Sequence, residues 1–251
     1  MRRDIQELRG VAILLVVLYH AGAILPSGFI GVDVFFVISG FVIAGSVRRS
    51  MRADDFSLSS FIGKRVRRIL PALSVMLTIV VLASSWFSSV ASRVQTVRTG
   101  LFASLGGANL FLYRFRPDGY FEVSEKTNAL LHTWSLSLEE QFYLAFAIAI
   151  AVAFRIFNGR VSQSSAVRAI ALVGFVSFVL CVVVAHFTIS LSSSILRLLL
   201  AADELDSTFA FYLPLTRAWQ FLAGVSLLVK YPRRAKTSSH SSSERCLAVV
   251  G

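Results

Sequence analysis

Cysteine is almost absent: Cys181 lies inside an apolar run and Cys246 near the C-terminus, with no CxxC and no metal-ligand spacing. No disulfide framework and no metal centre is expected. Charge is scarce as well, at 16% of the 251 residues against a 55% hydrophobic share and a mean hydropathy of +0.70. A soluble domain of this length wraps its core in a charged surface, whereas here the charges fall in short patches between long apolar runs. That composition predicts an integral membrane protein. Acids are fewer than bases, 14 against 25, for a net charge of +11. The cations flank apolar segments, as membrane topology requires, so they do not point to nucleic acid. The sequence also lacks an internal repeat, a Gly-rich phosphate loop and a G-x-S-x-G elbow. The first apolar stretch lacks an A-x-A-like site, so no cleavable signal peptide is expected.

Six apolar runs approach the length of a membrane span: Leu8 to Leu25, Val32 to Val47, Ile69 to Phe87, Leu136 to Phe154, Ala169 to Ile189 and Leu213 to Val229. They predict an all-α fold, a polytopic transmembrane helix bundle of six or seven spans. Several fall short of the ~20 residues that a ~30 Å hydrocarbon core demands, so flanking residues must help. A seventh run, Leu101 to Phe115, carries Gly106, Gly107 and Asn109 and is expected to dip or break rather than cross. Lysine and arginine set the orientation. Arg2, Arg3 and Arg9 precede the first run, and Arg48, Arg49, Arg52, Lys64, Arg65, Arg67 and Arg68 fill the loop after the second. Arg155, Arg160 and Arg168, then Lys230, Arg233, Arg234 and Lys236, belong to the same cytoplasmic side. Asp33 and the stretch Asp203, Glu204, Asp206 fall opposite. Residues 1–236 read as one membrane domain, and 237–251 as a Ser-rich linker and the start of a further span.

Five blocks hold the residues able to do chemistry. Arg9 and His20 are eleven residues apart, so steps of ~100° place both on one helix face about 16 Å apart. Histidine is the side chain that exchanges a proton near neutral pH, and ionisable groups in a span face the bundle interior. A packed histidine with an anchoring arginine is the plainer reading. Asp33 opens the apolar block Gly28 to Phe41, where it caps the helix or polarises His20, and Ser39 with Gly40 permits close helix contact. Lys64, Arg65, Arg67 and Arg68 precede Pro71, which would stiffen the helix start; they anchor the chain or bind the phosphates of a cytoplasmic donor such as coenzyme A. His132, Trp134, Glu139, Glu140 and Tyr143 gather where the fourth run begins, as belt aromatics and capping acids or as a functional group. Arg217-Ala218-Trp219 reads as a snorkelling arginine beside an aromatic anchor.

In order and spacing these blocks resemble the acyltransferase 3 family of bacterial integral-membrane O-acyltransferases, in particular the branch that acetylates O-antigen and other surface glycans. The resemblance rests on Arg3-Asp4-Ile5 through Leu8-Arg9, Tyr19-His20, Gly28 to Phe41, the arginine cluster, Leu131 to Tyr143 and Arg217-Ala218-Trp219. It implies transfer of an acyl group, most often acetyl, from acyl-coenzyme A to a carbohydrate or glycolipid hydroxyl at the bacterial inner membrane, with no permanently bound cofactor. His20 would act as general base, Arg9 would steady the donor or its charge, and the family's Arg-x-x-Arg motif falls on Arg65 and Arg68, with Arg67 between them. Two departures are visible. Gln220 stands where many relatives carry Glu, and the family's roughly ten helices lead one to expect a chain missing its last third. A transporter component with a proton path through His20, or an inserted but inactive piece, are the competing readings.

Overall fold

A computed structural model describes residues 3–21, 27–53, 55–115, 128–156, 163–190 and 207–230. The tail 237–251, the stretch Asp203, Glu204, Asp206, and Arg160, Arg233, Arg234 and Lys236 lie outside the described residues. Among those described, every regular element is helical: α1 Arg3–His20, α2 Ile30–Arg52, α3 Leu58–Phe87, α4 Val90–Ser104, α5 Ala108–Phe115, α6 Thr133–Ile156, α7 Gln163–Ser190, α8 Ser207–Tyr212 and α9 Pro214–Lys230. Four stretches are long and apolar enough to cross a membrane: α2, α3, α6 and Ser164–His186 of α7. The fold is an all-α membrane bundle.

Among the described residues each of the six apolar runs falls on a helix, the first only as far as His20 because 22–25 lie outside the described residues, but the third helix begins well before its run. The basic residues 64–68 were expected in a loop and Pro71 at a helix start. Both instead sit inside α3, which starts at Leu58, where the Ser57 hydroxyl accepts from the Ser60 N–H. Only residues 53–57 separate α2 from α3. Charges mark where a chain leaves hydrocarbon, not where it stops being helical, so the apolar run understates the helix.

The run Leu101 to Phe115 breaks as its glycines predict. Helix α4 ends at Ser104, Gly106 takes a left-handed φ of +69°, and the Gly107 N–H donates to the Phe102 carbonyl at 2.8 Å before α5 begins. Gln141 of α6 closes the break by donating to the Gly106 carbonyl at 2.8 Å.

Helix α2 is the hub. A Cβ on Gly31 would strike the Ala12 carbonyl of α1, one on Gly40 the Phe221 carbonyl of α9, and one on Gly224 the Val37 carbonyl of α2. Backbones approach this closely only where the side chain is absent, which is how helices gain dispersion contact inside a bilayer. Phe36, Trp134, Phe142, Tyr212 and Phe221 fill the space around these crossings, with Phe36 edge-on to Trp134 and Phe142. Val75, Ile79 and Leu82 on α3 and Leu172, Val173 and Val176 on α7 are exposed, the pattern of faces solvated by lipid.

Candidate functional site

The site is built at two levels of the bundle. At the first, Glu139 and Tyr143 lie four residues apart on one face of α6. Glu139 is 6% exposed, and its Oε1 accepts from the Ser39 hydroxyl of α2 at 2.5 Å and from the Tyr143 hydroxyl. A carboxylate this buried is tolerated only when its lone pairs are used. The face of Tyr143 seats Arg65, whose guanidinium carbon is 4.1 Å from the ring centroid. Arg65 lies within electrostatic reach of Glu140, Glu139, Arg68 and Arg9, and Arg9 is stacked 4.8 Å over Phe35. Arg9, Ser39, Arg65, Arg68, Glu139 and Glu140 thus form one constellation drawn from α1, α2, α3 and α6. Arg67 instead turns back along α3 to the Gly63 carbonyl at 3.2 Å.

At the second level stand His20, His132, Asp33, Trp134 and Arg217. His20 ends α1 with its Nδ1 2.8 Å from the Val16 carbonyl and its ring edge-on to Tyr19. A carbonyl can only accept, so Nδ1 donates to it and Nε2 is the nitrogen turned to other partners. His132, in the turn before α6, keeps an exposed edge. Desolvation by its neighbours holds its imidazole below the ordinary histidine range and the charge of His20 adds to this, against a hydrogen bond to the Ala129 backbone. Arg217 meets Asp33 at 2.7 Å, reaches the Phe211 carbonyl at 3.3 Å and lies over the rings of Phe211 and Trp134.

Several sequence readings are corrected here. Glu139 and Glu140 do not cap α6, since they lie beyond its first turn. Trp134 and Tyr143 are not belt residues but core, 3% and 4% exposed. Arg217 does not snorkel; it pairs with Asp33 inside the bundle. Asp33 Oδ1 accepts from Arg217 and from Gln220 Nε2, the latter at 2.9 Å, and no described contact joins it to His20. The departure at Gln220 acquires a reason, because an amide donates to Asp33 where a glutamate would only repel it. Two roles were missed, Tyr143 as the seat of Arg65 and Gln141 as the clasp on the helix break. The 139/143 spacing on a helix was the available signal for the first; nothing local announced the second.

Comparison with known proteins now bears on the whole constellation. A family model described as "Acyltransferase domain" matches residues 3–251. The chain belongs to this acyltransferase family. It is 42% identical over 142 residues to "Putative membrane-bound transacylase BcsY" of Komagataeibacter xylinus, covering 57% of this chain and 35% of that one. It is 28% identical over 240 residues to "Putative peptidoglycan O-acetyltransferase YrhL" of Bacillus subtilis, covering 94% and 34%. Against "Peptidoglycan O-acetyltransferase OatA" of Listeria monocytogenes it is 34% identical over 143 residues, 56% of this chain and 23% of the relative. The matched part thus spans 23% to 35% of the length of these curated relatives. No solved structure matches it.

Proposed function

We propose that the chain carries the transfer centre of a membrane O-acyltransferase that moves an acyl group, acetyl foremost, from acyl-coenzyme A to a hydroxyl of a cell-envelope carbohydrate such as O-antigen or exopolysaccharide. Its setting is the bacterial inner membrane, with the N-terminus and the arginines of α3 on the cytoplasmic side, where acyl-coenzyme A is made. The observation that carries this reading is the separation along α1: Arg9 stands in the arginine and carboxylate constellation, and His20 eleven residues on stands with His132. A centre joining a cytoplasmic donor to an acceptor from the other face needs cations at one level and a base at the other. Two of the relatives are named for peptidoglycan, itself a glycan of the envelope, which supports a carbohydrate acceptor of that kind.

In this mechanism Arg65 and Arg68 hold donor phosphates, and Arg9 steadies the charge brought near Glu139. His20 Nε2 takes the proton of the acceptor hydroxyl as its oxygen attacks the thioester carbonyl. The C–O bond forms, the C–S bond breaks, and the coenzyme leaves as thiolate to be protonated by the imidazolium. The Val16 carbonyl holds Nδ1, and the Asp33–Arg217–Gln220 group fixes α2 against α9 beneath it.

The test compares O-acetyl content of surface polysaccharide, read by NMR, between cells carrying the intact protein and cells carrying His20→Ala. Ester content should fall at least about a hundredfold, the span of general base catalysis. Equal ester content with equal protein in the membrane would remove His20 from the reaction.

A further inference from the structure

The turn that carries His132 is tied to α4 by directed hydrogen bonds. Asn128 Nδ2 donates to the Thr99 hydroxyl of α4 at 2.9 Å, and Asn128 Oδ1 accepts from the Leu130 N–H at 3.1 Å. The Thr99 hydroxyl donates in turn to the Gln95 carbonyl at 2.9 Å, and the Thr133 hydroxyl donates to the Leu130 carbonyl at 2.7 Å. Thr99, Asn128, Leu130 and Thr133 are all buried. Leu130 also lies against Gly100, where a Cβ would come within 3.1 Å of its side chain. Connecting segments usually give their polar groups to water. Here the turn cannot slide along α4 without leaving a buried donor or acceptor unmet.

This fixed turn presents a ring that is not sealed. His132 keeps an exposed edge, one of its nitrogens donates to the Ala129 carbonyl, and the other meets no donor among the described residues. A neutral imidazole that donates through one nitrogen offers the other as an acceptor. His20, exposed at the end of α1, is near enough for its charge to bear on this ring. Two imidazoles so placed oppose double protonation, so while one takes a proton the other stays an acceptor.

Resting on the role given to His20 above, we infer that His132 is a binding residue for the acceptor: its second nitrogen accepts a hydrogen bond from another hydroxyl of the sugar whose reacting hydroxyl His20 deprotonates. Asn128 and Thr99 are positioning residues that hold the ring in place for it. The acceptor is then a polyol that brings two hydroxyls to one site, as a sugar ring does and a monohydric alcohol does not. His132 takes no proton in the transfer.

The test gives the full chain, in detergent micelles, radiolabelled acetyl-coenzyme A and the carbohydrate fraction of the cell envelope freed of its esters by mild base. Transfer is followed while each is varied in turn. His132→Ala should raise the KM for the carbohydrate about tenfold, the worth of one hydrogen bond, and leave kcat and the donor KM unchanged, the mark of lost binding rather than lost chemistry. His132→Gln, which keeps an acceptor atom, should recover part of the loss. Thr99→Val removes the partner of Asn128 at nearly constant size and should raise the carbohydrate KM in the same direction, whereas Thr99→Ser should behave as the unmodified chain. Asn128→Leu repeats the test from the other side of the bond should Thr99→Val fail to fold. A fall in kcat with an unmoved carbohydrate KM in His132→Ala would make the ring a partner of His20 rather than of the acceptor and overturn the inference. If His20→Ala abolishes transfer while His132→Ala matches the unmodified chain, the proposed reaction stands and the inference alone falls. If the unmodified chain transfers no acetyl group to the carbohydrate, the reaction itself fails and takes the inference with it.

Discussion

Glu139 is the residue on which the largest number of site elements converges. Its carboxylate accepts hydrogen bonds from the Ser39 and Tyr143 hydroxyls, so α2 and α6 are joined through it, and the Tyr143 ring is the surface on which Arg65 rests. Glu139→Ala would leave two buried hydroxyls without an acceptor, each costing about 1–3 kcal/mol. Glu139→Gln keeps an acceptor oxygen and the volume. The expected order of thermal unfolding midpoints in detergent is therefore native, then Gln, then Ala, with Arg65-dependent donor binding falling in the same order. Equal midpoints for Gln and Ala would show that the hydroxyls find other partners. The pair was legible in part: Ser39 and both glutamates were singled out from their types and positions, and a buried carboxylate without a partner is expensive by elementary electrostatics. That Ser39 and Glu139 are each other's partner was not legible, because they are a hundred residues apart and nothing local in either helix names the other. Asp33 was harder still. Its position near a helix start suits a cap, and only the packing of α9 on α2 shows why it prefers Arg217.

At the scale of elements, the glycines of α2 and α9 decide how closely the helices approach, and hence whether Asp33 can reach Arg217 and Gln220. A Cβ at Gly40 would run into the Phe221 carbonyl, which belongs to backbone and cannot rotate aside. Gly40→Ala should therefore destabilise the bundle by about 1–3 kcal/mol through overpacking. Gly10, in the middle of α1, meets nothing within 4 Å, so Gly10→Ala should stabilise by about 0.5–1 kcal/mol through helix propensity alone. Opposite shifts of the unfolding midpoint are expected from the same chemical change, and a loss at both positions would contradict the close α2–α9 crossing. Periodicity and hydropathy revealed that helices exist and roughly where, and the glycines of 101–115 revealed a break. They did not reveal α4, which begins at Val90 in a mixed polar stretch whose buried face is Ser92, Thr96, Thr99, Gly100 and Ala103. A small-residue face carries little hydrophobic signal, yet in lipid it packs as well as leucine does in water.

For the molecule as a whole, the decisive quantity is the length of α3 against the thickness of the membrane. Its 30 residues extend about 45 Å, well beyond a ~30 Å hydrocarbon core. Placing the apolar part from Ile69 onward in hydrocarbon leaves the segment with Lys64, Arg65, Arg67 and Arg68 in the headgroup layer of one leaflet. Trp86 and Phe87, 84% and 90% exposed, then reach the opposite interface, where aromatic rings are favoured. The basic side should be cytoplasmic, since cations are retained there during insertion. With Cys181→Ser and Cys246→Ser removing the natural thiols, Ser59→Cys should react with an impermeant maleimide only in inverted vesicles, and Phe87→Cys only in intact spheroplasts. Labelling of both from one side is incompatible with an unbroken helix crossing the bilayer. Labelling with the sides exchanged would put the arginines away from the cytoplasm, and the donor could not then reach them from where acyl-coenzyme A is made. The two levels of the site would survive as geometry, but the assignment of donor to Arg65 and of acceptor to His20 would have to be reversed or abandoned, because α3 carries its own cations near its N-terminal end alone.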